Sequence, residues 1–169
     1  KKKSRPNHVL KDIDFDACLT AYRLAREETA LLYIHLLPTV NLLPKLPIKD
    51  PIVRRFYLPL DRYVFVLQKR VDPFQETLFK ASRENELPPY LSAFFSLLEK
   101  RVAKGIYNKD PAVVSNFGFL GKTAIELDFG RYVEHPDFLK PSFQKLEKEK
   151  FVGELREWIS RELPHELVA

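Results

Sequence analysis

The segment 105–132 constrains the fold of this 169-residue chain more than any other. Within it, two apolar segments rich in β-forming residues, 116–120 and 123–129, flank the dipeptide Gly121-Lys122. A two-residue connection with glycine at a position of positive φ is typical of a tight β-hairpin. The sequence therefore predicts a hairpin whose outer ends lie side by side.

Three polar residues accompany this hairpin. Asp110 lies in the loop that leads into it, Asn116 begins its first strand and Asp128 ends its second. Because the outer ends of a hairpin meet, we expect Asn116 and Asp128 to lie close together. Amide and carboxylate oxygens suit Mg²⁺, which takes few protein ligands beside phosphate and water. Asn116 and Asp128 are therefore candidate metal ligands, and Asp110 is free to orient a hydroxyl nucleophile.

The same residues resemble the catalytic loop and metal-binding motif of the protein-kinase-like fold. The tripeptide that begins at Asp128 is Asp-Phe-Gly, and Asn116 stands where the family has the asparagine of the second metal. The tripeptide 108–110 is Asn-Lys-Asp, where the family has His-Arg-Asp. Five residues separate Asp110 from Asn116, against about four in the family motif. The resemblance implies that ATP and Mg²⁺ bind, with Asp110 orienting the acceptor hydroxyl.

The resemblance also implies a set of phosphate-binding residues nearer the start of the chain. Lys11 ends the short apolar segment 8–11 and is similar to the strand lysine that reaches the ATP phosphates. In the family an acidic residue of the next helix pairs with that lysine. Glu27 or Glu28 would take this place, so Lys11, Glu27 and Glu28 are the expected cofactor-binding residues.

The surrounding pattern predicts an α+β fold of the protein-kinase-like type. We expect a small antiparallel sheet with a long helix in a partial N-lobe-like region, 1–70, and a mainly helical C-lobe-like region, 71–169, that carries the hairpin. Apolar spacing, proline positions and glycine caps give the predicted elements. They are a helix over 15–37, an extended or looped segment over 40–51, strands over 52–58 and 62–69 around the turn 59–61, helices over 73–83 and from 88 or 89 to 104, and one or two helices over 142–161.

Composition narrows the cellular setting. The single cysteine, Cys18, excludes an intrachain disulfide, and four scattered histidines offer no paired spacing for zinc. We see neither a signal peptide nor an apolar run of about 20 residues, and therefore expect a soluble protein of the cytoplasm or another reducing compartment with no transmembrane segment. The net charge of +5 comes mainly from the first five residues. Because the aromatic residues follow apolar stripes, the pattern favours a core over a nucleic-acid surface.

Three functions remain open from the residues. The first is a nucleotide- and Mg²⁺-binding module, active as an atypical ATP-dependent phosphotransferase. The second is a catalytically inactive kinase-like scaffold that binds a protein partner. The altered loop 108–116, the absence of a glycine-rich loop in a chain with five glycines and the short sequence after Gly130 favour this second function. The third is a binding domain in which the hairpin is architectural.

Overall fold

The computed structural model describes residues 14–167, which form an α+β structure with small antiparallel sheets. The helices are α1 (Phe15–Leu24), α2 (Phe74–Arg83), α3 (Leu87–Ala103), α4 (Val113–Asn116) and α5 (Pro141–Glu162). The strands are β1 (Leu31–His35), β2 (Lys45–Lys49), β3 (Arg55–Pro59), β4 (Phe65–Gln68), β5 (Asp72–Pro73), β6 (Ile106–Asn108), β7 (Phe117–Leu120), β8 (Thr123–Glu126) and β9 (Tyr132–Glu134). Short 3-10 turns occupy Leu60–Arg62, Pro136–Leu139 and Pro164–Leu167.

The first helix is shorter than the sequence predicts. It begins where the Asp14 side chain accepts a hydrogen bond from the Ala17 amide at 3.0 Å, and it ends at Leu24. The prediction of a helix over 15–37 is wrong beyond that point, because residues 31–35 form β1 and pair with β4. A short apolar run satisfies helical spacing and a buried strand equally well, and here pairing with β4 decides between them.

The two strands predicted around residues 59–61 exist in part, but they do not pair with each other. The second and third strands pair together, and β4 pairs with β1. The 3-10 turn Leu60–Arg62 lies where the sequence predicts the turn 59–61. Its Asp61 Oδ1 accepts hydrogen bonds from the amides of Leu42 at 3.2 Å and Leu43 at 3.1 Å. These bonds fold the turn against the preceding loop, so the chain changes direction instead of closing a hairpin.

The hairpin predicted over 116–129 is confirmed for residues 117–126, whereas Asn116, expected to begin its first strand, ends α4, and Asp128, expected to end its second, lies two residues beyond β8. Its strands β7 and β8, hereafter the central hairpin, pair from Phe117↔Glu126 to Leu120↔Thr123, and Gly121 has a φ of +60°. The preceding helix α3 ends at Ala103 and is capped by Lys104, after which Gly105 has a φ of +70°. Further on, β6 pairs with β9, so the segments on either side of the central hairpin are joined.

Two apolar clusters support this arrangement. The larger cluster joins α2, α3, the central hairpin and α5 around Phe74, whose ring lies 5.5 Å from that of Phe119 and 6.1 Å from that of Trp158. The smaller cluster joins α1 and β1 to Phe129 and Tyr132. Phe129 therefore fixes the segment just after Asp128 against the first helix.

The last helix, α5, buries a charged side chain near its start in place of two apolar ones. The helical spacing of Phe143 and Leu146 predicts that both point inward, but they are 42% and 63% exposed, whereas Glu147 is 3% exposed. Among residues 14–167, no helix is both long enough and apolar enough to span a bilayer.

Candidate functional site

The open end of the central hairpin brings Asn116 and Asp128 together, as the sequence predicts. The main-chain oxygen of Asn116 accepts hydrogen bonds from the amides of Leu127 at 2.6 Å and Asp128 at 3.4 Å. This contact continues the hairpin for one step beyond Phe117↔Glu126. An amide and a carboxylate side chain thus project from adjacent backbone segments.

Asn108 joins the loop that carries Asp110 to the segment that carries Asp128. Its Nδ2 donates to the main-chain oxygen of Asp128 at 3.2 Å, and its Oδ1 accepts from the Asp110 amide at 2.9 Å. One buried side chain therefore holds both ends of the candidate site. In the resemblance this residue stands where the family has the histidine of its catalytic loop.

The side chains of the two aspartates make local hydrogen bonds. Asp110 Oδ1 accepts from the Ala112 amide at 3.2 Å, and Asp128 Oδ1 accepts from the Gly130 amide at 3.0 Å. Asp128 is exposed, and Asp110 is partly buried. Each carboxylate is thereby oriented by its own turn and keeps a second oxygen for other contacts.

Asn116 holds a buried polar group with unused hydrogen-bonding capacity. The residue is 5% exposed, its Oδ1 accepts from Ser115 Oγ at 2.9 Å, and its Nδ2 has no hydrogen-bond partner in the described chain. Amide oxygen and nitrogen are interchangeable by rotation of the side-chain amide group. After that rotation Nδ2 donates to Ser115 and Oδ1 takes the unpartnered position, where an oxygen-seeking cation would satisfy it. An amide oxygen at that position is a ligand of the kind that Mg²⁺ takes, but among residues 14–167 no group of three or more His, Cys, Asp and Glu side chains could hold a metal ion.

A buried network of charges lies behind this site. Arg101 of α3 is fully buried and donates from Nη1 to Glu126 Oε1 at 2.7 Å and from Nη2 to Glu147 Oε1 at 2.9 Å. Lys150 forms an ion pair with Glu147 Oε2 at 2.7 Å. Two cations thus balance two carboxylates within one cluster, which hydrogen bonds connect directly to Asn108.

The network fixes Asn108 by its backbone as well as by its side chain. The Asn108 amide donates to Glu147 Oε1 at 3.0 Å, and its main-chain oxygen accepts from Lys150 Nζ at 2.6 Å. Its Nδ2 also donates to Glu126 Oε1 at 2.7 Å. Helix α5 and strand β8 therefore position Asn108, which in turn hydrogen-bonds to Asp110 and Asp128.

Burial and charge act against each other in this cluster. Burial raises the pKa of Glu126, while Arg101 and the hydrogen bonds from Asn108 and Tyr132 lower it in part. Burial would lower the pKa of Arg101, but Glu126, Tyr132 and Glu147 raise it overall. Arginine and an amide nitrogen can only donate, and both donate to Glu126 Oε1. The geometry therefore suits an ionised Glu126 beside a charged Arg101.

The residues expected to bind the ATP phosphates, Lys11, Glu27 and Glu28, do not form the lysine–glutamate pair of the prediction among the described residues. Lys11 lies outside the described residues, so its pairing with an acidic residue stays a prediction. Glu28 is buried and pairs with Lys104 Nζ at 2.6 Å, and both glutamates lie in the turn after α1 instead of midway along a helix. Glu27 and Glu28 line a surface cavity of about 270 Å³ beside Lys100.

The sequence interpretation missed the charged network, although the sequence contains a usable signal for it. Arg101 follows Phe94, Leu97 and Leu98 on the buried face of α3, and Glu147 precedes Phe151 on the buried face of α5. A charged residue at an apolar stripe position must be paired or neutral. Two such residues of opposite sign on separate helices therefore point to a buried ion pair.

Comparison with known proteins adds no assignment: no family model matches the chain, and no curated protein or solved structure matches it either.

Tyr132 makes the network sensitive to alkaline pH. Its hydroxyl donates to Glu126 Oε2 at 2.7 Å, and burial, followed by the charge of Glu126, raises the pKa of Tyr132 well above its usual value. The neutral phenol stabilises the fold below the unfolded-state pKa of about 10. Above that pH the unfolded chain loses this proton while the folded chain keeps it, so stability falls by up to about 1.4 kcal/mol per pH unit.

We expect Tyr132→Phe to flatten this alkaline loss of stability and to lower stability at neutral pH by about 1–3 kcal/mol, because Glu126 Oε2 loses its donor. Urea unfolding at pH 7, 9.5 and 10.5 measures both effects. Tyr57→Phe, at a tyrosine that is 68% exposed, is the matched control and should follow the wild type. Parallel curves for Tyr132→Phe and wild type would contradict a phenol held neutral by burial.

Proposed function

We propose that this chain is a kinase-like module that binds a nucleotide with Mg²⁺ and acts as an atypical ATP-dependent phosphotransferase. One observation carries the proposal: Asn116 and Asp128 are hydrogen-bonded through their backbones at the open end of the central hairpin, and Asn108 links Asp128 to Asp110. The order of these residues is that of the family motif.

The order of elements around the site supports the same proposal. Helix α3 leads through β6 into the loop of Asp110, the central hairpin follows, and the tripeptide that begins at Asp128 comes before β9. Because β6 pairs with β9, the loop and that tripeptide are held side by side. This context supports the interpretation of Asp-Phe-Gly as more than a chance tripeptide.

Each candidate residue has a distinct role. Asp128 and Asn116 would hold the metal through one carboxylate and one amide oxygen, and Asp110 would orient the acceptor hydroxyl. Bound MgATP would supply the phosphoryl group and the cation that neutralises its charge. Positioning is the main requirement of phosphoryl transfer, and here Asn108 and the buried network provide it.

A thermal-shift titration with MgATP tests the proposal. A ligand at about 100 times its Kd stabilises the folded state by about 2.7 kcal/mol, which raises the midpoint of a domain of this size by about 5–10 °C. We expect the wild type to show such a rise and Asp128→Asn to lose it. The asparagine keeps an oxygen for the Gly130 amide, so this variant removes charge while retaining the turn.

Glu154→Gln is the matched control, because it removes one negative charge from an exposed position on α5. It should shift with MgATP as the wild type does. A wild type without any shift, or an Asp128→Asn variant that shifts equally, would contradict a nucleotide site at the central hairpin. Repeating the titration with ATP and a chelator distinguishes metal-dependent from metal-free binding.

The second candidate function is a catalytically inactive kinase-like scaffold that binds a protein partner. Two observations favour this scaffold. One oxygen of the Asp110 carboxylate already accepts a hydrogen bond from the Ala112 amide, and the loop differs from the family motif in length. A scaffold predicts no MgATP shift while the fold and the buried network remain intact. The titration therefore separates the two functions.

A further inference from the structure

A projecting hairpin with unusual surface chemistry precedes β4. Strands β2 and β3, with the turn between them, form residues 45–59, hereafter the arm. Neither strand hydrogen-bonds to any other strand of residues 14–167. An isolated two-stranded hairpin is only marginally stable in water, so apolar side chains exposed on it call for an explanation in binding.

The two faces of the arm differ sharply. Cross-strand pairs Leu46↔Leu58 and Ile48↔Phe56 share one face, which is entirely apolar. Leu46 and Phe56 are each 46% exposed. The opposite face carries the pairs Lys45↔Pro59, Pro47↔Tyr57 and Lys49↔Arg55. Every charged side chain on the two strands is thus a cation, and all lie on one face.

The tip of the arm is apolar and conformationally strained. Ile52 and Val53 are 68% and 64% exposed at the turn, and Val53 has a φ of +69°. A β-branched residue rarely adopts positive φ, where glycine or asparagine fits better. Valine at this position places an apolar side chain at the exposed tip and lowers local stability. Such strain is typical of binding sites.

The positive charge of the chain is concentrated in two places. Positions 45–59 contain four basic residues and one acidic residue, and positions 1–13 contain five basic residues and one acidic residue. Together they exceed the net charge of +5, so the rest of the chain is slightly acidic. The acidic residue of the arm, Asp50, is neutralised by Arg54 at 2.8 Å. The arm and positions 1–13 therefore attract an anionic surface, while the rest of the chain does not.

We propose that the arm binds the surface of a bilayer containing anionic lipids. An apolar face opposite a purely basic face matches the pattern of segments that lie at the membrane interface. Each face is about 17 Å long and about 10 Å wide, so its area is about 170 Å². This area is far below the roughly 800 Å² that each partner buries in a standard protein interface. Nucleic acid would use the cations but leave Leu46, Phe56 and Val53 uncovered. A second copy would bring two cationic arms together.

Vesicle co-sedimentation of the full chain tests this proposal. We expect binding to vesicles of phosphatidylcholine with phosphatidylglycerol, and at least about tenfold weaker binding to phosphatidylcholine alone. Changing Lys45, Lys49 and Arg55 together to glutamine should weaken the binding by more than about tenfold. Changing Lys145, Lys148 and Arg156 of α5 to glutamine removes the same charge elsewhere and should leave binding within about twofold. This comparison also separates the arm from the basic residues of positions 1–13.

The tip variant Ile52→Asn/Val53→Asn separates binding from folding. Asparagine tolerates positive φ, so the thermal midpoint should stay the same or rise while binding to the anionic vesicles is lost. Equal binding to neutral and anionic vesicles, or full binding by the tip variant, would overturn the proposal. So would a dimer in light scattering that the tip variant dissociates, or binding to a DNA duplex without binding to vesicles. None of these results depends on the nucleotide titration.

Discussion

Arg101→Met should lower the free energy of unfolding by about 3–5 kcal/mol, because it leaves two buried carboxylates without their shared cation. Arg101 is 0% exposed, and its two ion pairs measure 2.7 and 2.9 Å. Methionine fills much of the volume of the arginine stem, so the loss reports charge more than packing. Guanidinium unfolding at pH 7, followed by circular dichroism, measures it.

Lys122→Met is the matched control for this prediction. Lys122 pairs with Glu86 at 2.8 Å, nearly the distance of the Arg101 pairs, but the two side chains are 58% and 50% exposed. An exposed pair contributes about 0–1 kcal/mol, because water screens it and solvates the separated charges. If the two variants lose equal stability, burial is not what makes Arg101 important.

A triple variant isolates the charge from the rest of the network. Arg101→Met combined with Glu126→Gln and Glu147→Gln removes the guanidinium and both carboxylates, so the charge that stays in the cluster is that of Lys150, whose side chain is 26% exposed and reaches water. Replacing a whole buried ion cluster is often close to neutral, whereas removing one partner is costly. We therefore expect the triple variant to regain at least about half of the stability lost by Arg101→Met. A further loss of stability would contradict this account.

The parts of the fold that follow from local chemistry were predictable from the sequence. Gly121 and Gly105 mark a tight turn and a helix end because both need positive φ, and the structure has them there. The convergence of Asn116 and Asp128 followed from the hairpin itself. The fate of residues 31–35 did not follow, because their pairing with β4 is a contact between segments distant in the sequence.

The supporting network of the candidate site was beyond prediction for a related reason. Arg101, Glu126 and Glu147 come from three elements, and only the packed fold shows that they meet. Periodicity assigns such residues to a surface or a core, but it does not pair them. The sequence indicates Asn108 only as a substitute within a motif, whereas its contacts make it the link between Asp110 and Asp128.

Gly118→Ala should destabilise the chain by about 1–3 kcal/mol or more, because a methyl group at this position has no space. Gly118 pairs with Pro73 of β5 on one side and with Ile125 of β8 on the other. A Cβ atom there would lie 2.5 Å from Val71 Cγ2 and 2.6 Å from the main-chain oxygen of Asp72. The oxygen belongs to paired backbone, so relief requires β5 to move away from β7.

Gly153→Ala gives the matched control, since the same methyl group on α5 meets nothing within 4 Å. In the interior of a helix, alanine is more favourable than glycine by about 1 kcal/mol, so this variant should be stabilised. Urea unfolding of the two variants should therefore move the midpoint in opposite directions. Because β5 follows the segment that leaves β4, a shift at Gly118 also displaces the first half of the chain relative to the central hairpin. We accordingly expect Gly118→Ala to weaken any MgATP shift, and Gly153→Ala to preserve it.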